Sequence, residues 1–509
     1  MLSKIHSVVL TGLEVTECEV EVNVAARGFF NVNIVGLPDP AVKESVDRIK
    51  TALVNCGYPF PRHRTLVNLA PADIKKEGPA LDLPIVLGML AADGQIELGL
   101  TKHYLIVGEL ALDGGVRPVK GVLSIALLAA KKGYRGVLVP RENVGEAAVV
   151  DEIDAIGIGN LPEAVGFLSG QLPLEPTRVD IEKLFDQTSH YEVDFSDVRG
   201  QEHAKRALTI AAAGGHNMLM IGPPGSGKTM LAQRLPTVLP PLSLAEALET
   251  TKIYSACGLM NSGQALIGIR PVRTPHHSAS PIALVGGGST PQPGEVSLAH
   301  NGVLFLDEMP EFQRSTLEMI RQPLEDGTLT ISRVQSSVSF PARFILIGAM
   351  NPCPCGYFGH PRKRCRCSPN QIEKYVGKIS GPLLDRIDIH LEVPPVDLHR
   401  LRSAAEGESS ATIRARVLKA RQIQARRFTA KPDMVNARMG PKLIRQHCRL
   451  DATCEAILRA AVQELGLSAR AHDKILRVAR TIADLEAAPD IHSEHVAEAI
   501  QYRRLDRVQ

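Results

Sequence analysis

Leu219-Met220-Ile221-Gly222-Pro223-Pro224-Gly225-Ser226-Gly227-Lys228-Thr229 carries the pattern G-x-x-x-x-G-K-[ST] without a gap. Apolar residues lead into it, as a buried parallel strand requires, and Met230-Leu231-Ala232-Gln233-Arg234-Leu235 follows with helical character. A plain glycine-rich turn needs neither neighbour; a phosphate loop needs both. Glycines let the backbone curl until several N–H groups face one point, and a helix N-terminus adds its dipole there, so the point favours phosphate. Gly222, Pro223, Pro224, Gly225, Ser226 and Gly227 are the expected cradle. Lys228 is expected to reach the β- and γ-phosphates of ATP, and the Thr229 hydroxyl to hold Mg²⁺.

A second apolar strand, Gly302-Val303-Leu304-Phe305-Leu306, ends in Asp307-Glu308. Beside a phosphate loop this pattern is that of a Walker B element. Asp307 is expected to hold the Mg²⁺ and Glu308 to polarise the attacking water. A third, Phe344 to Met350, ends in Asn351, a polar amide suited to orienting that water beside Glu308.

The chain has 509 residues, enough for roughly two to four domains, and its 44% hydrophobic and 22% charged content is that of a globular protein. No apolar run is long enough to span a bilayer, and Met1 to Leu10 lacks the apolar stretch and cleavage site of a secretion signal, so a cytoplasmic protein is expected. A net charge of +3 does not by itself indicate a polyanion partner. Basic residues do cluster, at Arg362-Lys363-Arg364 with Arg366, and again at Arg414, Arg416, Lys419, Arg421, Arg426 and Arg427. Either run alone is as well explained by a solvated face.

Residues 1–165 read as an α/β domain. Strands are expected at Glu19–Val24, Asn31–Gly36, Thr65–Leu69, Tyr104–Gly108 and Gly136–Pro140, with helices at Ala41–Leu53, Leu81–Ala92 and Val122–Lys132. Lys76-Glu77-Gly78-Pro79-Ala80, Gly108-Glu109-Leu110-Ala111-Leu112-Asp113-Gly114 and Arg117-Pro118-Val119-Lys120-Gly121 resemble the proteolytic domain of Lon proteases. The resemblance puts that family's serine at Ala80 and its lysine near Leu123. Without hydroxyl or amine there is no acyl chemistry, so a retained fold with the protease lost is expected. Residues 166–195 read as a linker, 196–395 as the nucleotide-binding α/β core and 396–509 as a helical lid. His216-Asn217-Met218, just before the phosphate-loop strand, is expected near the adenine or at the domain edge.

Arg270 to Glu295 is rich in glycine and proline and excludes one regular helix. Adjacent His276 and His277 lack a third ligand at a sensible spacing, so hydrogen bonding is favoured over metal. Gly286–Gly294 reads as a substrate-contacting loop. Thr328–Phe340 reads as a hairpin with Arg333 near its tip. Helical runs are expected at Ala411–Arg427, Pro441–Cys448, Ala452–Leu465, Ala469–Leu485 and Ser493–Tyr502; Arg470, at the start of the fourth, is placed to reach a phosphate.

Of nine cysteines, Cys353, Cys355, Cys365 and Cys367 form C-x-C…C-x-C with nine residues between the pairs. In a cytoplasmic protein such packing argues for metal rather than disulfides. Four thiolates suit a closed structural Zn²⁺ site, although the usual pair spacing is C-x₂₋₄-C; reduced free thiols are the other reading. Metal would contribute on the order of 10 kcal/mol to ordering a loop so rich in glycine, proline and charge.

Arg273-Thr274-Pro275-His276-His277, Pro293 through Glu308, Asn351-Pro352-Cys353-Pro354-Cys355-Gly356, Gly381-Pro382-Leu383-Leu384-Asp385-Arg386-Ile387-Asp388 and Ala479 through Leu485 resemble the magnesium-chelatase-like AAA+ proteins known as YifB or ComM, nearly end to end. The resemblance implies a hexameric ATPase that promotes branch migration of DNA during natural transformation and recombination. It implies that Arg386 is the arginine finger reaching a neighbour's γ-phosphate, that Arg470 is the lid's sensing arginine, and that the Arg333 hairpin and the Gly286–Gly294 loop face a central pore. A motor subunit of a chelatase-like or other remodelling complex is the alternative. A Lon-like protease is disfavoured by Ala80 and Leu123, and a mere DNA-binding scaffold has no need of Glu308 and Arg386.

Overall fold

A computed structural model describes residues 1–503 except for Gly28, Phe30, 189–190, 289–290, 333–336, 396–406 and Pro432. The Arg333 tip and part of the Gly286–Gly294 loop therefore lie outside the described residues. The chain divides into two compact units. The first comprises Met1–Ser189, Ser243–Gly268 and Ser289–Gln292; the second comprises His190–Leu242, Ile269–Gly288 and Pro293–Gln509.

The first unit is built on a four-stranded sheet in the order Leu2–Thr11, Glu14–Val24, Thr65–Ala70, Val32–Val35. Its first three strands pair antiparallel and the last is parallel to its neighbour. Glu14–Val24 alternates strictly: Cys18, Val20, Val22 and Val24 are buried and Glu17, Glu19 and Glu21 are not. The helix Asp82–Ala92 packs on the buried face and is itself buried almost throughout. Its Gly88 is required, because a Cβ there would meet Val22 Cγ2 at 2.6 Å. A three-stranded parallel sheet, Tyr104–Ile106, Gly136–Pro140 and Asp154–Ile158, packs with the helix Val122–Lys132. Onto that helix folds Leu244–Cys257, a segment that lies far along the chain within the expected nucleotide core. Ser255 donates to the buried Glu146 at 2.5 Å and Asn143 donates to it at 2.9 Å; burial pushes the Glu146 carboxyl up. Ala80 falls in a short 3-10 turn and Leu123 is buried.

The second unit has a five-stranded, wholly parallel sheet. Its order is Val272–Arg273, Val303–Leu306, Ile345–Met350, Met218–Ile221, Ile389–Glu392. Both faces are covered, which is why these strands read as continuous apolar runs. Met218, Met220, Phe305, Ile347 and Leu391 pack with the helices Glu202–Gly214 and Lys228–Val238 and with the C-terminal helices. Leu219, Leu304, Leu306, Leu346 and Met350 pack with Phe312, Leu317, Tyr375 and Leu383 on the opposite face. Thr328–Ser332 and Ser337–Pro341 pair antiparallel. The C-terminal helices are Ser410–Arg427, Pro441–His447, Ala452–Leu465, Ala469–Leu485 and Ser493–Gln501. Asp484, fully buried, ties them together by accepting from Arg427, Asn436 and Arg480. No helix among the described residues is long and apolar enough to cross a membrane.

Candidate functional site

Strand direction sorts the expected site residues of the second unit into two groups. All five strands run the same way, so residues that follow the strands share one end of the sheet and residues that precede them share the other.

At the C-terminal ends, Met218–Ile221 runs into Gly222, where a Cβ would lie 2.3 Å from the carbonyl oxygen of Val393. Gly225 and Gly227 hold φ of 77° and 86°, left-handed values that cost glycine little. Gly227 caps Lys228–Val238, whose first N–H groups have no acceptor within the helix. Ser226 Oγ, inside this curl, is buried without a hydrogen-bond partner. Gln201, itself at φ 57°, donates from Nε2 to the Ser226 carbonyl at 2.7 Å and so buttresses the loop. Sequence reasoning missed Gln201; an amide at the start of a helix carries no local signal of a partner 25 residues on.

Lys228 Nζ donates to the carbonyls of Gly222 at 2.7 Å and Pro223 at 3.1 Å and to Asn351 Oδ1 at 3.3 Å. Burial pulls its pKa down, opposed by the charges of Asp307 and Glu308. Thr229 Oγ1 donates to Asp307 Oδ2 at 2.7 Å. A hydroxyl and a carboxylate brought together from two strands are an oxygen donor set of the kind Mg²⁺ takes beside phosphate. Asn351 ends the strand that lies between those of Lys228 and Asp307. Glu308 sits at φ 48°, ψ 44°, with its N–H on Asp307 Oδ1 at 2.9 Å and its side chain 57% exposed. His277 Nδ1 stands 3.5 Å from Glu308 Oε2, while His276 bonds Ser278 at 2.7 Å. His276 thus serves hydrogen bonding, and His277 is turned to the acidic pair.

The four cysteines follow directly. Their sulfur atoms all lie within 4.8 Å of one another, with Cys353–Cys355, Cys355–Cys365 and Cys353–Cys365 at 3.4, 3.6 and 3.7 Å. Zn–S bonds of about 2.3 Å in a tetrahedron require S–S edges of about 3.8 Å, so the thiol set fits the metal. Backbone N–H groups from Phe358 and Cys367 point at two of the sulfurs. The finger touches the phosphate loop: a Cβ on Gly356 would lie 2.6 Å from Pro224 Cδ. Phe358 also shares a cavity of about 660 Å³ with Gly222 and Pro223. Arg362, Lys363, Arg364 and Arg366 are all exposed on it. The second basic run is different. Arg421 is bonded to the Ala212 carbonyl, Arg427 to Asp484 and Arg416 to Glu408, so much of that run serves the helix's own packing.

Arg386 and Arg470 belong to the other end. Asn217, just before its strand, donates to the Arg386 carbonyl at 3.2 Å. Arg386 bonds the Pro382 carbonyl and Glu325, and Arg470 lies 3.8 Å from Asp385. Both line a polar cavity of about 820 Å³. A four-residue strand, roughly 13 Å of extended chain, separates Asn217 from Gly222. The structure therefore does not bring Arg386 or Arg470 to this chain's own phosphate loop. His216, expected near adenine or at the domain edge, is at this far end too. It is fully buried and hydrogen-bonded to Asp388 at 3.2 Å and Thr481 at 2.8 Å. Lys474 and Arg503 both donate to the Ile387 carbonyl, which fixes the backbone next to Arg386. Burial works against the Asp388 charge, but Lys474 and His216 outweigh it and hold the carboxyl well below the usual range. Burial also brings Lys474 down to about 8, against the pull of Asp388.

A glycine loop between a parallel strand and its helix, with an acidic pair and an amide ending two neighbouring strands, defines a P-loop domain of the AAA+ kind. Family models agree. "Magnesium chelatase, subunit ChlI" matches residues 194–401, "Subunit ChlI of Mg-chelatase" residues 20–143, and "Magnesium chelatase, subunit ChlI C-terminal" residues 407–503. Competence protein ComM of Haemophilus influenzae is 44% identical over 100% of this chain and 98% of its own. The uncharacterized protein YifB of Escherichia coli is 43% identical over 100% of this chain and 98% of its own. The magnesium-chelatase 38 kDa subunit of Cereibacter sphaeroides is 25% identical over 31% of this chain and 52% of its own. The chain belongs to the ComM/YifB family of magnesium-chelatase-like proteins.

Proposed function

We propose that this protein hydrolyses ATP at sites shared between protomers of a ring, a hexamer, and uses the cycle to drive branch migration of DNA recombination intermediates. The observation that carries the shared site is the separation just described: Lys228, Thr229, Asp307, Glu308 and Asn351 at one end of the sheet, Arg386 and Arg470 at the other. Lys228 and the loop N–H groups bind the triphosphate. Thr229 and Asp307 would hold Mg²⁺, which would supply charge neutralisation at the phosphates. Glu308 accepts a proton from the attacking water, Asn351 orients that water, and His277 orients Glu308. Arg386 and Arg470, from the adjoining protomer, meet the charge on the transferred group. Release of the cleaved phosphate removes the charge they are drawn to, and the interface relaxes.

DNA as the substrate is supported by the name of the competence relative and by the exposed arginines and lysine of the cysteine finger. Cys353, Cys355, Cys365 and Cys367 would hold Zn²⁺, which would make that finger rigid. The first unit keeps a Lon-like fold without its nucleophile, and the C-terminal helices act as the lid. The test is ATP-dependent strand exchange on three- and four-way junctions. ATP-dependent movement of the branch point is expected; junctions left untouched by protein that hydrolyses ATP would refute the DNA reading. A second reading, a motor subunit of a chelatase-like or other remodelling complex, has the chelatase family matches behind it. It predicts turnover indifferent to DNA.

A further inference from the structure

The cavity of about 820 Å³ at the N-terminal ends of the strands holds more cationic side chains than the two already assigned. Arg343 enters it just before the strand Ile345–Met350, and Arg438 from the short turn Asn436–Arg438. Arg386 and Arg470 each have a carboxylate, Glu325 and Asp385 respectively. Arg343 and Arg438 have none among the described residues. Desolvation first, and then the Arg343 charge, weaken Arg438's hold on its proton; the second cause is repulsion between the pair. A concave site lined by cations in mutual repulsion, two of them without a carboxylate partner among the described residues, is completed by an anion rich in oxygen. Acidic side chains stand between the basic ones around it, among them Asp326 and Asp473. That interruption disfavours a long continuous polyanion and suits a compact one.

We propose that Arg343 and Arg438 are further substrate-contacting residues of the shared site, reaching the terminal phosphates of ATP bound by the adjoining protomer. This rests on the shared-site reading and extends it from two arginines to four. The carboxylates explain the division of labour: they hold Arg386 and Arg470 in fixed positions, whereas Arg343 and Arg438 find their counter-charge in the phosphates.

The test uses full-length protomers carrying different tags, co-assembled and purified as mixed rings. The double variant R343A/R438A alone should still bind fluorescent ATP at its own loop and lose at least tenfold in kcat. Mixed with K228A, it should recover turnover, because its intact phosphate loops then face intact arginines. Mixed with R386A it should not, because every cavity is then defective. R343A/R438A turnover within twofold of the parent, rescue by R386A instead of K228A, or intact turnover with lost DNA binding would each overturn the inference. The control mixture of R386A with K228A separates the two levels: if it fails to recover, the shared-site reading is itself wrong. The single variants R343Q and R438Q, checked for parental melting and assembly size, keep the test valid if the double variant folds poorly.

Discussion

Glu308→Gln is the sharpest perturbation of the proposed chemistry. Glutamine keeps the volume and the side-chain geometry of the parent, and the Glu308 N–H can still reach Asp307 Oδ1. No hydrogen bond of the ATP cradle is touched, because Lys228 and Thr229 take their partners from Gly222, Pro223, Asn351 and Asp307. Loss of a positioned base typically costs 10²–10⁴-fold, or about 3–5 kcal/mol on the barrier at 1.36 kcal/mol per tenfold. The exposed contact with His277 is screened and adds little to stability. A second variant separates chemistry from backbone strain. Glu308 is a non-glycine residue in the left-handed region, a conformation that costs of order 1–3 kcal/mol. Glu308→Gly removes that cost along with the carboxylate, so it should be at least as stable as the parent and equally inactive. Steady-state phosphate release and fluorescent-nucleotide titration are the assays. Kd for ATP within threefold of the parent and kcat down by at least a hundredfold are expected. A Gln variant turning over within fivefold of the parent, or a Gly variant that regains activity, refutes the assignment.

Three further outcomes are expected. Thr229→Ala should abolish the gain in ATP affinity on adding Mg²⁺ while leaving affinity in chelator unchanged, measured by paired titrations; a persistent Mg²⁺ effect removes Thr229 from the ion's shell. Metal analysis should return about one zinc per chain, lost in Cys355→Ser, and its loss should raise KM for ATP severalfold because Gly356 packs on Pro224; an unchanged KM disproves the coupling. Lys474 releases its proton at about 8 in the folded chain and near 10.5 when unfolded. The unfolded state therefore binds more protons between those values, and stability rises with pH across that window, by up to about 3 kcal/mol. Denaturant midpoints of the parent relative to Lys474→Met should diverge from pH 8 to 10.5; parallel curves would show that the lysine is not buried as described.

Much of the local structure was legible because the strands are apolar runs and the helices have clear periodicity. Gly136–Pro140 and Val122–Lys132 have the limits expected of them, and Thr229 and Asp307 were recognisable as partners from two motifs alone. What remained hidden depended on strand order. The strand Ile345–Met350 intervenes between two strands that precede it in the chain, and only that insertion puts Asn351 beside Lys228. The same order sends His216 away from the nucleotide end, since residues before a parallel strand cannot share an end with residues after it. The partner of His277 went unnamed because Glu308 lies on another strand end. Ser243–Gly268 shows the limit of reading by succession. Its helix has a capping box in Ser243 and Glu246 and a glycine stop at Gly258, but nothing local says that Leu244–Cys257 packs with the first unit. The basic run at 414–427 misleads for a similar reason, since charge on a helix says nothing of which carbonyls lie within its reach.

The polarity of one sheet has a consequence for assembly. Under the proposed mechanism, the groups that bind triphosphate follow the strands and the arginines that answer its charge lie around the strands' starting ends, so one protomer would hold two halves of different sites. Two copies facing each other with like ends would join phosphate loop to phosphate loop and leave both sites incomplete. Only a head-to-tail contact, one copy's strand ends against the next copy's strand beginnings, completes a site, and such contacts propagate until they close into a ring or run on as a filament. The anchoring at the far end suits that arrangement. Asp388, His216, Lys474 and Arg503 hold the backbone beside Arg386 through buried bonds, two of them to the Ile387 carbonyl. An arginine that must find a phosphate on another molecule gains from a fixed base, because positional error at its Cα is carried to the guanidinium. Asp388→Asn should therefore behave as a defect of the donor side: its own ATP affinity stays, its kcat falls, and a K228A partner restores turnover where an R386A partner does not. Recovery with R386A instead would place the network's effect on the chain's own phosphate loop.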